Sequence, residues 1–197
     1  MQRRQPLPRL WLMTDERQGD ALWTALRRLP RCSGVVFRHY GLPRTERLAL
    51  FEQVRALCRR RHLLLVLAGA GPSPNAWRAD GRHGPGLRRS PGLRTAPAHN
   101  AREIRAAERA GAALVFLSPV FPTQSHPGAP VLGRARFGLL ARQARIPVIA
   151  LGGMDQARGR GLPGAYGWAA IDAWTRGRAR ASPLRQSPRR APCGRAG

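Results

Sequence analysis

Short apolar runs alternate with amphipathic stretches along most of this chain, and this alternation constrains the fold more than any other feature. The run His62–Leu67 (HLLLVL) is apolar after its first residue, as expected of a strand buried on both faces of a parallel sheet. The stretch before it is expected to form a helix capped by Thr45, with apolar residues at helical spacing: Leu48, Phe51, Val54 and Leu57. Strands that alternate with helices predict βαβ units.

About eight strands can be counted in this way, and their number favours one architecture. They are expected at Leu10–Thr14, Val35–Arg38, His62–Leu67, Ala79–His83, Leu93–Ala98, Ala113–Leu117, Pro147–Leu151 and Ala165–Ala170. Further helices are expected at Asp20–Leu29, from an Asn100 cap through Ala110 to a closing Gly111, and at Arg134–Arg145. The alternatives are a closed (β/α)8 TIM barrel and an open doubly wound sheet. Although a typical barrel has about 250 residues, the strand count and regular spacing favour a barrel here.

The charge is strongly positive, with 35 basic and 10 acidic residues and a net charge of +25. Every basic residue is arginine, so lysine Schiff-base chemistry is excluded. The arginines are dispersed and aromatics make up only 6%, which indicates a compositional bias rather than a specific nucleic-acid surface. We expect an N-terminal extension at residues 1–9, one barrel domain at 10–175, and a disordered Arg-rich tail at 176–197.

Cysteine spacing and hydropathy exclude several other classes of protein. Cys32, Cys58 and Cys193 have no CxxC spacing and form no even set, which excludes a disulfide framework and a cysteine-based zinc site. No apolar run is long enough to cross a bilayer, and Leu10–Met13 is too short for a signal-peptide core. A cytoplasmic protein without a membrane partner is therefore expected.

Functional residues of a barrel are expected in the loops that follow its strands. Gly152 and Gly153 follow a predicted buried strand, where they would either cradle a phosphate with their N–H groups or form only a tight turn. Arg38 ends another strand and could act as an anion fork, although the chain has many arginines.

The longest predicted loop, Ser118–Gly133, is stiffened by prolines and carries polar side chains. Thr123 and Ser125 supply hydroxyls two residues apart, and His126 supplies a titratable imidazole. Such a set suits a pyrophosphate, and loop stiffness lowers the entropy lost on binding. The alternative is an ordinary surface loop with a solvated histidine.

Six segments together resemble, in order, the thiamine phosphate synthase family, which includes the related thiazole tautomerases. They are LWLMTDE at Leu10–Glu16, VVFRHY at Val35–Tyr40, ADGRHG at Ala79–Gly84, HNAREIRAAERAGAALVFLSPVFPTQSH at His99–His126, IPVIALGGM at Ile146–Met154 and GAYGWAAIDA at Gly164–Ala173. SPVFPTQS is the most specific part, and the resemblance covers nearly everything from Leu10 to Trp174.

The resemblance implies a (β/α)8 barrel that joins an aminopyrimidine pyrophosphate to a thiazole phosphate, releases pyrophosphate and uses Mg²⁺. It assigns the pyrophosphate to Arg38, Thr123 and Ser125, with His126 where the family has a lysine. It assigns the thiazole phosphate to Gly152 and Gly153 and to the backbone at Ile171 and Asp172. His126 is also the candidate acid–base catalyst.

The usual magnesium ligands of the family are absent from this sequence. Leu67-Ala68-Gly69 stands where the family has Asn-Asp-Arg, whose aspartate binds the metal, and the segment HGPGL offers no second aspartate. Asp172 stands where the family has a serine. Mg²⁺ is thus expected from the family, but no residue of this chain is assigned to it, because Mg²⁺ prefers carboxylate oxygens.

The sequence therefore predicts a thiamine phosphate synthase-like enzyme of thiamine biosynthesis, acting on small phosphorylated substrates. Two alternatives stay open. One is a thiazole tautomerase-type isomerase that uses His126 or His83 as acid and base. The other is a degenerate barrel that binds a phosphorylated ligand without catalysis. A homo-oligomer is also left open.

Overall fold

The computed structural model describes residues 6–69, 74–85, 92–124, 128 and 130–175. Eight parallel strands pair in chain order and close into a barrel, because β1 pairs with both β2 and β8. The strands are β1 (Leu10–Met13), β2 (Gly34–Phe37), β3 (Leu64–Ala68), β4 (Gly81–His83), β5 (Leu93–Ala98), β6 (Leu114–Leu117), β7 (Val148–Ala150) and β8 (Gly167–Ala170). The predicted TIM barrel is confirmed.

Helices follow most of the strands. They are α1 (Ala21–Arg28), α2 (Arg44–Arg61), α3 (Pro74–Trp77), α4 (Ala101–Arg109), α5 (Gly133–Gln143) and α6 (Gln156–Gly159), with a 3-10 turn at Glu16–Gln18. The two four-residue helices and the 3-10 turn are too short for a periodic apolar pattern to predict them. None of the helices in the described ranges is long and apolar enough to cross a membrane. The tail predicted at 176–197 lies outside the described residues.

The start of α2 differs from the prediction. The helix begins at Arg44, and its first backbone bond runs from Arg47 N–H to the carbonyl of Pro43 at 2.8 Å. Thr45 is therefore already inside the first turn, and the prediction that it caps the helix is wrong. Phe51 and Val54 are buried as expected, but Leu48 is 37% exposed.

The interior of the barrel is filled with side chains. Trp11 is one of these buried side chains, and its ring meets that of Phe116 in an edge-to-face contact at a centroid distance of 5.2 Å. Its indole N–H donates to the carbonyl of Pro8 at 2.8 Å. The partner position on β2 is Gly34, and a Cβ built there would lie 2.2 Å from the Trp11 ring. The glycine therefore leaves the space that the indole fills.

The outer faces of the strands pack against the helices in two further apolar clusters. In α4 the burial of Ile104 and Ala107 turns one face toward the sheet. The predicted cap is confirmed, since the side chain of Asn100 accepts the N–H of Glu103 at 3.0 Å. Gly111 follows with a φ of 73°, a left-handed conformation that favours glycine.

We predict that Gly34→Ala destabilises the barrel by about 1–3 kcal/mol, because the added methyl overlaps the Trp11 ring in a packed core. Urea unfolding followed by Trp fluorescence measures the change. Gly138→Ala on α5 is the matched control, since its Cβ would lie 3.3 Å from the side chain of Pro163 and its helix gains propensity. Equal stability of the Gly34 variant and the wild type would contradict this account of the core.

Candidate active site

The carboxyl ends of the eight strands lie at one end of the barrel, which together with the following loops is called the mouth here. The predicted binding residues that the structure describes lie in the loops after β2, β6, β7 and β8. Arg38 follows β2, Thr123 follows β6, Gly152 and Gly153 follow β7, and Ile171 and Asp172 follow β8. Ser125 and His126 lie outside the described residues.

Arg38 is held over the ends of the first two strands. Its Nε donates to the carbonyl of Thr14 at 2.7 Å, and its Nη2 donates to Oδ2 of Asp15 at 2.6 Å. Its backbone N–H donates to the hydroxyl of Thr14 at 3.0 Å. Because the side chain is 20% exposed, the guanidinium is ordered by the barrel and still reaches solvent at the mouth.

Asp15 joins Arg38 to a second arginine, Arg17, which no sequence motif had indicated. Oδ1 of Asp15 accepts both the backbone N–H and the Nε of Arg17, at 3.1 and 2.8 Å. Burial opposes ionisation of Asp15, but the hydrogen bonds from Arg17 and the charges of Arg38 and Arg17 outweigh it, so its pKa lies below the usual value. The carboxylate is therefore charged at neutral pH.

The loop after β1 also contacts the loop after β8. The side-chain amide of Gln18 donates to the carbonyl of Ile171 at 2.8 Å. The hydrogen bond to Asp15 and, more weakly, the charge of Asp172 raise the pKa of Arg17. Arg17 is therefore bonded to Asp15 and also feels the charge of Asp172, near the seam where the barrel closes.

The loop after β7 depends on two glycines. Gly152 and Gly153 have φ values of 93° and 60°, which favour glycine. A Cβ on Gly152 would lie 2.7 Å from Pro119, and one on Gly153 would lie 2.4 Å from the carbonyl of Pro122. The glycines thus let this loop pack directly on the loop after β6.

The loops after β7 and β8 carry backbone N–H groups that can serve as donors. Within the described part of the chain, the N–H groups of Gly152, Gly153, Ile171 and Asp172 donate no hydrogen bond. A cluster of unpaired backbone N–H groups at strand ends suits an anion such as a phosphate. Because β7 and β8 are neighbours in the barrel, the residues predicted for one phosphate come from adjacent strands.

The residues predicted for the pyrophosphate do not come from adjacent strands. Arg38 follows β2 and Thr123 follows β6, and these strands lie on opposite sides of the eight-stranded barrel. A ligand that touches both must therefore extend across the mouth. The sequence could not supply this spacing, because it depends on closure of the barrel.

Two histidines near the mouth are buried and neutral at pH 7. Burial and, secondarily, the charge of Arg38 lower the pKa of His83 to about 3. Its Nδ1 lies 2.9 Å from the hydroxyl of Thr95. Burial also lowers the pKa of His39, whose Nδ1 lies 3.0 Å from the hydroxyl of Thr14. Both rings are therefore poor proton acceptors at neutral pH.

His99, which was not among the predicted site residues, has a different environment. It follows β5 directly and is exposed. Its Nδ1 lies 2.8 Å from the carbonyl of Ser118. Because a carbonyl only accepts, Nδ1 carries the hydrogen and the neutral ring keeps a lone pair on Nε2. Its position after a predicted strand was the available signal.

The end of β3, where the resemblance places a metal ligand, is filled by other groups. Nη2 of Arg47 donates to the carbonyls of Ala68 and Arg38, each at 2.8 Å. A Cβ on Gly69 would lie 2.7 Å from the ring of Tyr40. Arg47 itself lies among aromatic rings at 5.5–5.8 Å: Phe37, Tyr40 and Trp77. A buried cation and a ring therefore occupy this corner of the mouth.

The carboxylates of the described residues do not converge on a magnesium site. No group of three or more His, Cys, Asp or Glu side chains in the described ranges could hold a metal ion. Asp15 pairs with two arginines, Glu16 accepts the N–H of Gly41 at 2.7 Å, and Asp155 accepts the N–H of Arg158 at 2.8 Å. Mg²⁺ is held by carboxylate oxygens that converge on it, and these carboxylates instead bond to arginines or backbone N–H groups, so this donor set does not fit it.

Comparisons with known proteins agree with this architecture. Residues 95–173 match the family described as "Thiamine monophosphate synthase". "Putative thiamine-phosphate synthase 2" of Aquifex aeolicus is 32% identical over 179 residues, which cover 84% of this chain and 96% of that protein. "Thiamine biosynthesis bifunctional protein ThiED" of Geobacter sulfurreducens is 28% identical over 64% of this chain and 28% of its own length. The solved thiamine phosphate pyrophosphorylase of Pyrococcus furiosus aligns with a TM-score of 0.71 and 25% identity, over 85% of this chain and 86% of that one.

We predict that buried His83 makes stability fall with acidity. The pKa of His83 is about 3 in the folded protein and the usual 6.5 in the unfolded chain. Between pH 3 and pH 6.5 the unfolded chain therefore binds more protons than the folded one. The free energy of unfolding should therefore decrease as pH falls through this window. His83 contributes up to about 1.4 kcal/mol per pH unit.

Urea unfolding between about pH 4 and pH 7 tests this, with His83→Gln as the variant. The variant should show a shallower slope, whereas His62→Asn, at an exposed histidine beyond α2, should keep the wild-type slope. Parallel curves for wild type and His83→Gln would contradict the prediction.

Proposed function

This chain belongs to the thiamine phosphate synthase family, and on that premise we propose that it joins an aminopyrimidine pyrophosphate to a thiazole phosphate. The cluster of unpaired backbone N–H groups after β7 and β8 carries this proposal. These N–H groups can bind the phosphate of the thiazole substrate. Arg38 supplies a cation that can bind the pyrophosphate of the pyrimidine substrate. The two lie in different loops of the same mouth, as a condensation of two phosphorylated molecules requires.

The proposed reaction breaks the bond between the pyrimidine methylene carbon and the pyrophosphate oxygen. The pyrophosphate leaves with the electron pair, and the thiazole nitrogen then donates its lone pair to the methylene carbon. Cations placed at the leaving oxygens lower the barrier to such a step. Arg38 carries a guanidinium cation, and its hydrogen bond to the carbonyl of Thr14 holds it at the mouth, where it can act on the leaving group.

Magnesium is expected from the family, but the described carboxylates do not fit it. The residues assigned to substrate are those of this chain alone. Arg38 and Thr123, with Ser125 and His126, are proposed to hold the pyrophosphate. Gly152, Gly153, Ile171 and Asp172 are proposed to hold the thiazole phosphate through backbone N–H groups.

Small phosphorylated molecules are the proposed partners, and the cytoplasm is the proposed location. The barrel is proposed as one domain ending near residue 175. Trp174 supports that boundary, because its ring stacks on Trp168 at 4.8 Å and its indole N–H donates to the carbonyl of Trp11 at 3.2 Å.

We predict that the purified protein forms thiamine phosphate from the two substrates and that Arg38→Ala lowers kcat/KM for the pyrimidine substrate by about 100-fold. Arg59→Ala is the matched control, because Arg59 is exposed in the last turn of α2, away from the mouth. Its kcat/KM should equal that of the wild type.

Each reaction is run with Mg²⁺ and with a chelator, beside an active family member. Product that requires Mg²⁺ would mean that substrate phosphates and water supply its ligands. No product from the folded wild type, with the control enzyme active, would contradict the proposed condensation.

A thiazole tautomerase-type isomerase is the second candidate, and the geometry of His99 favours it. An isomerase needs an acid–base group at the mouth rather than a cation for a leaving group. His99 is exposed there, and its hydrogen bond to Ser118 fixes the tautomer that leaves Nε2 as a proton acceptor.

If the protein is such an isomerase, His99→Gln should lower the rate of thiazole phosphate tautomerisation by about 100-fold, measured by proton NMR. His62→Asn should leave the rate unchanged. Tautomerisation that survives His99→Gln would remove this histidine from the reaction. Binding of the thiazole phosphate without either reaction would identify a noncatalytic barrel.

A further inference from the structure

Two arginines converge on one carboxylate at the mouth. Oδ2 of Asp15 lies 2.6 Å from Nη2 of Arg38 and 3.3 Å from Nη2 of Arg17. Its other oxygen, Oδ1, lies 2.8 Å from Nε of Arg17. Arg17 thus bonds to both oxygens of the Asp15 carboxylate. Arg38 bonds to Oδ2, which it shares with Arg17.

This arrangement is the one that a phosphoryl group makes with guanidinium groups. A planar guanidinium donates in a fork to two oxygens of one anion, and two such forks can share an oxygen between them. A carboxylate offers only two oxygens and one charge. A pyrophosphate has more oxygens and more negative charge, so it can replace the carboxylate at both guanidinium groups.

We propose that Asp15 acts as an internal counter-ion that occupies Arg17 and Arg38 until pyrophosphate displaces it. Arg17 is thereby added to the pyrophosphate-binding residues, and Asp15 sets the affinity by competing with the ligand. The proposal rests on the proposed function for the identity of the ligand.

The exposure of the three side chains supports such an exchange. Arg17 is 51% exposed and Asp15 is 16% exposed, so a solvated anion can approach the pair from the mouth. Arg38 keeps its bond to the carbonyl of Thr14 through Nε, so it does not need Asp15 to stay in place. Among the described residues, Nη1 of Arg38 makes no hydrogen bond and can meet the ligand first.

The exchange also has a consequence for release of the product. Pyrophosphate held by both guanidinium groups would dissociate slowly, because charge-assisted bonds to both must break. Return of the Asp15 carboxylate replaces those bonds as they break. A charged Asp15 therefore weakens binding and speeds dissociation.

The test measures binding of inorganic pyrophosphate to the full chain by calorimetry, with Asp15→Asn as the main variant. Asparagine keeps an Oδ1 that can accept the backbone N–H of Arg17, and it removes the charge. Glu52→Gln is the matched control, because it adds the same unit of net charge on α2, where Glu52 pairs with Arg55. Arg17→Ala is compared with Arg59→Ala in the same way.

The proposal predicts that Asp15→Asn binds pyrophosphate about fivefold more tightly and that Arg17→Ala binds it about fivefold more weakly. Both control variants should match the wild type. Inorganic phosphate, with fewer oxygens, should show a smaller gain in Asp15→Asn. Unchanged or weaker binding by Asp15→Asn would overturn the proposal, since Asp15 would then only position Arg38.

This experiment is independent of turnover. If the predicted binding pattern is found and no thiamine phosphate forms, the counter-ion role of Asp15 is supported and the proposed condensation is contradicted. If thiamine phosphate forms and Asp15→Asn binds pyrophosphate no more tightly than the wild type, the condensation is supported and the counter-ion role of Asp15 is contradicted.

Discussion

Closure of the sheet between β8 and β1 is the constraint on which the rest of the structure depends. Because all eight strands are parallel, closure brings every carboxyl end to one rim and every following loop to one mouth. The seam itself is joined across that rim, where Gln18 bonds to the carbonyl of Ile171 and Trp174 bonds to that of Trp11. Residues more than 150 positions apart thereby form one site.

The chemistry of the mouth is dominated by guanidinium groups. Arg47 is buried and ties the ends of β2 and β3 together, so Arg38 projects from a fixed backbone. The same contact fills the corner where the resemblance places a metal ligand. Arg17 and Arg38 then share Asp15, which keeps both ordered without a ligand. Binding and positioning thus depend on the same few ion pairs.

The sequence predicts the barrel well because strand alternation is a local pattern, whereas the site depends on contacts that closure creates. All eight strands appear within a few residues of their expected positions, and the Asn100 cap is confirmed. The cap at Thr45 is wrong because Pro43 starts the helix two residues earlier. Arg17 was missed because one arginine among 35 basic residues has no local signal. What distinguishes it is its contact with Asp15, to which both its Nε and its Nη2 donate.

A crystal structure of the protein with the aminopyrimidine pyrophosphate bound tests the central claim most directly, which is that the arginines of this mouth hold a phosphorylated substrate. The account predicts pyrophosphate oxygens within hydrogen-bonding distance of Arg38 and Arg17, with the 2.6 Å contact between Arg38 and Asp15 broken. A pyrophosphate bound elsewhere, with that contact intact, would contradict it.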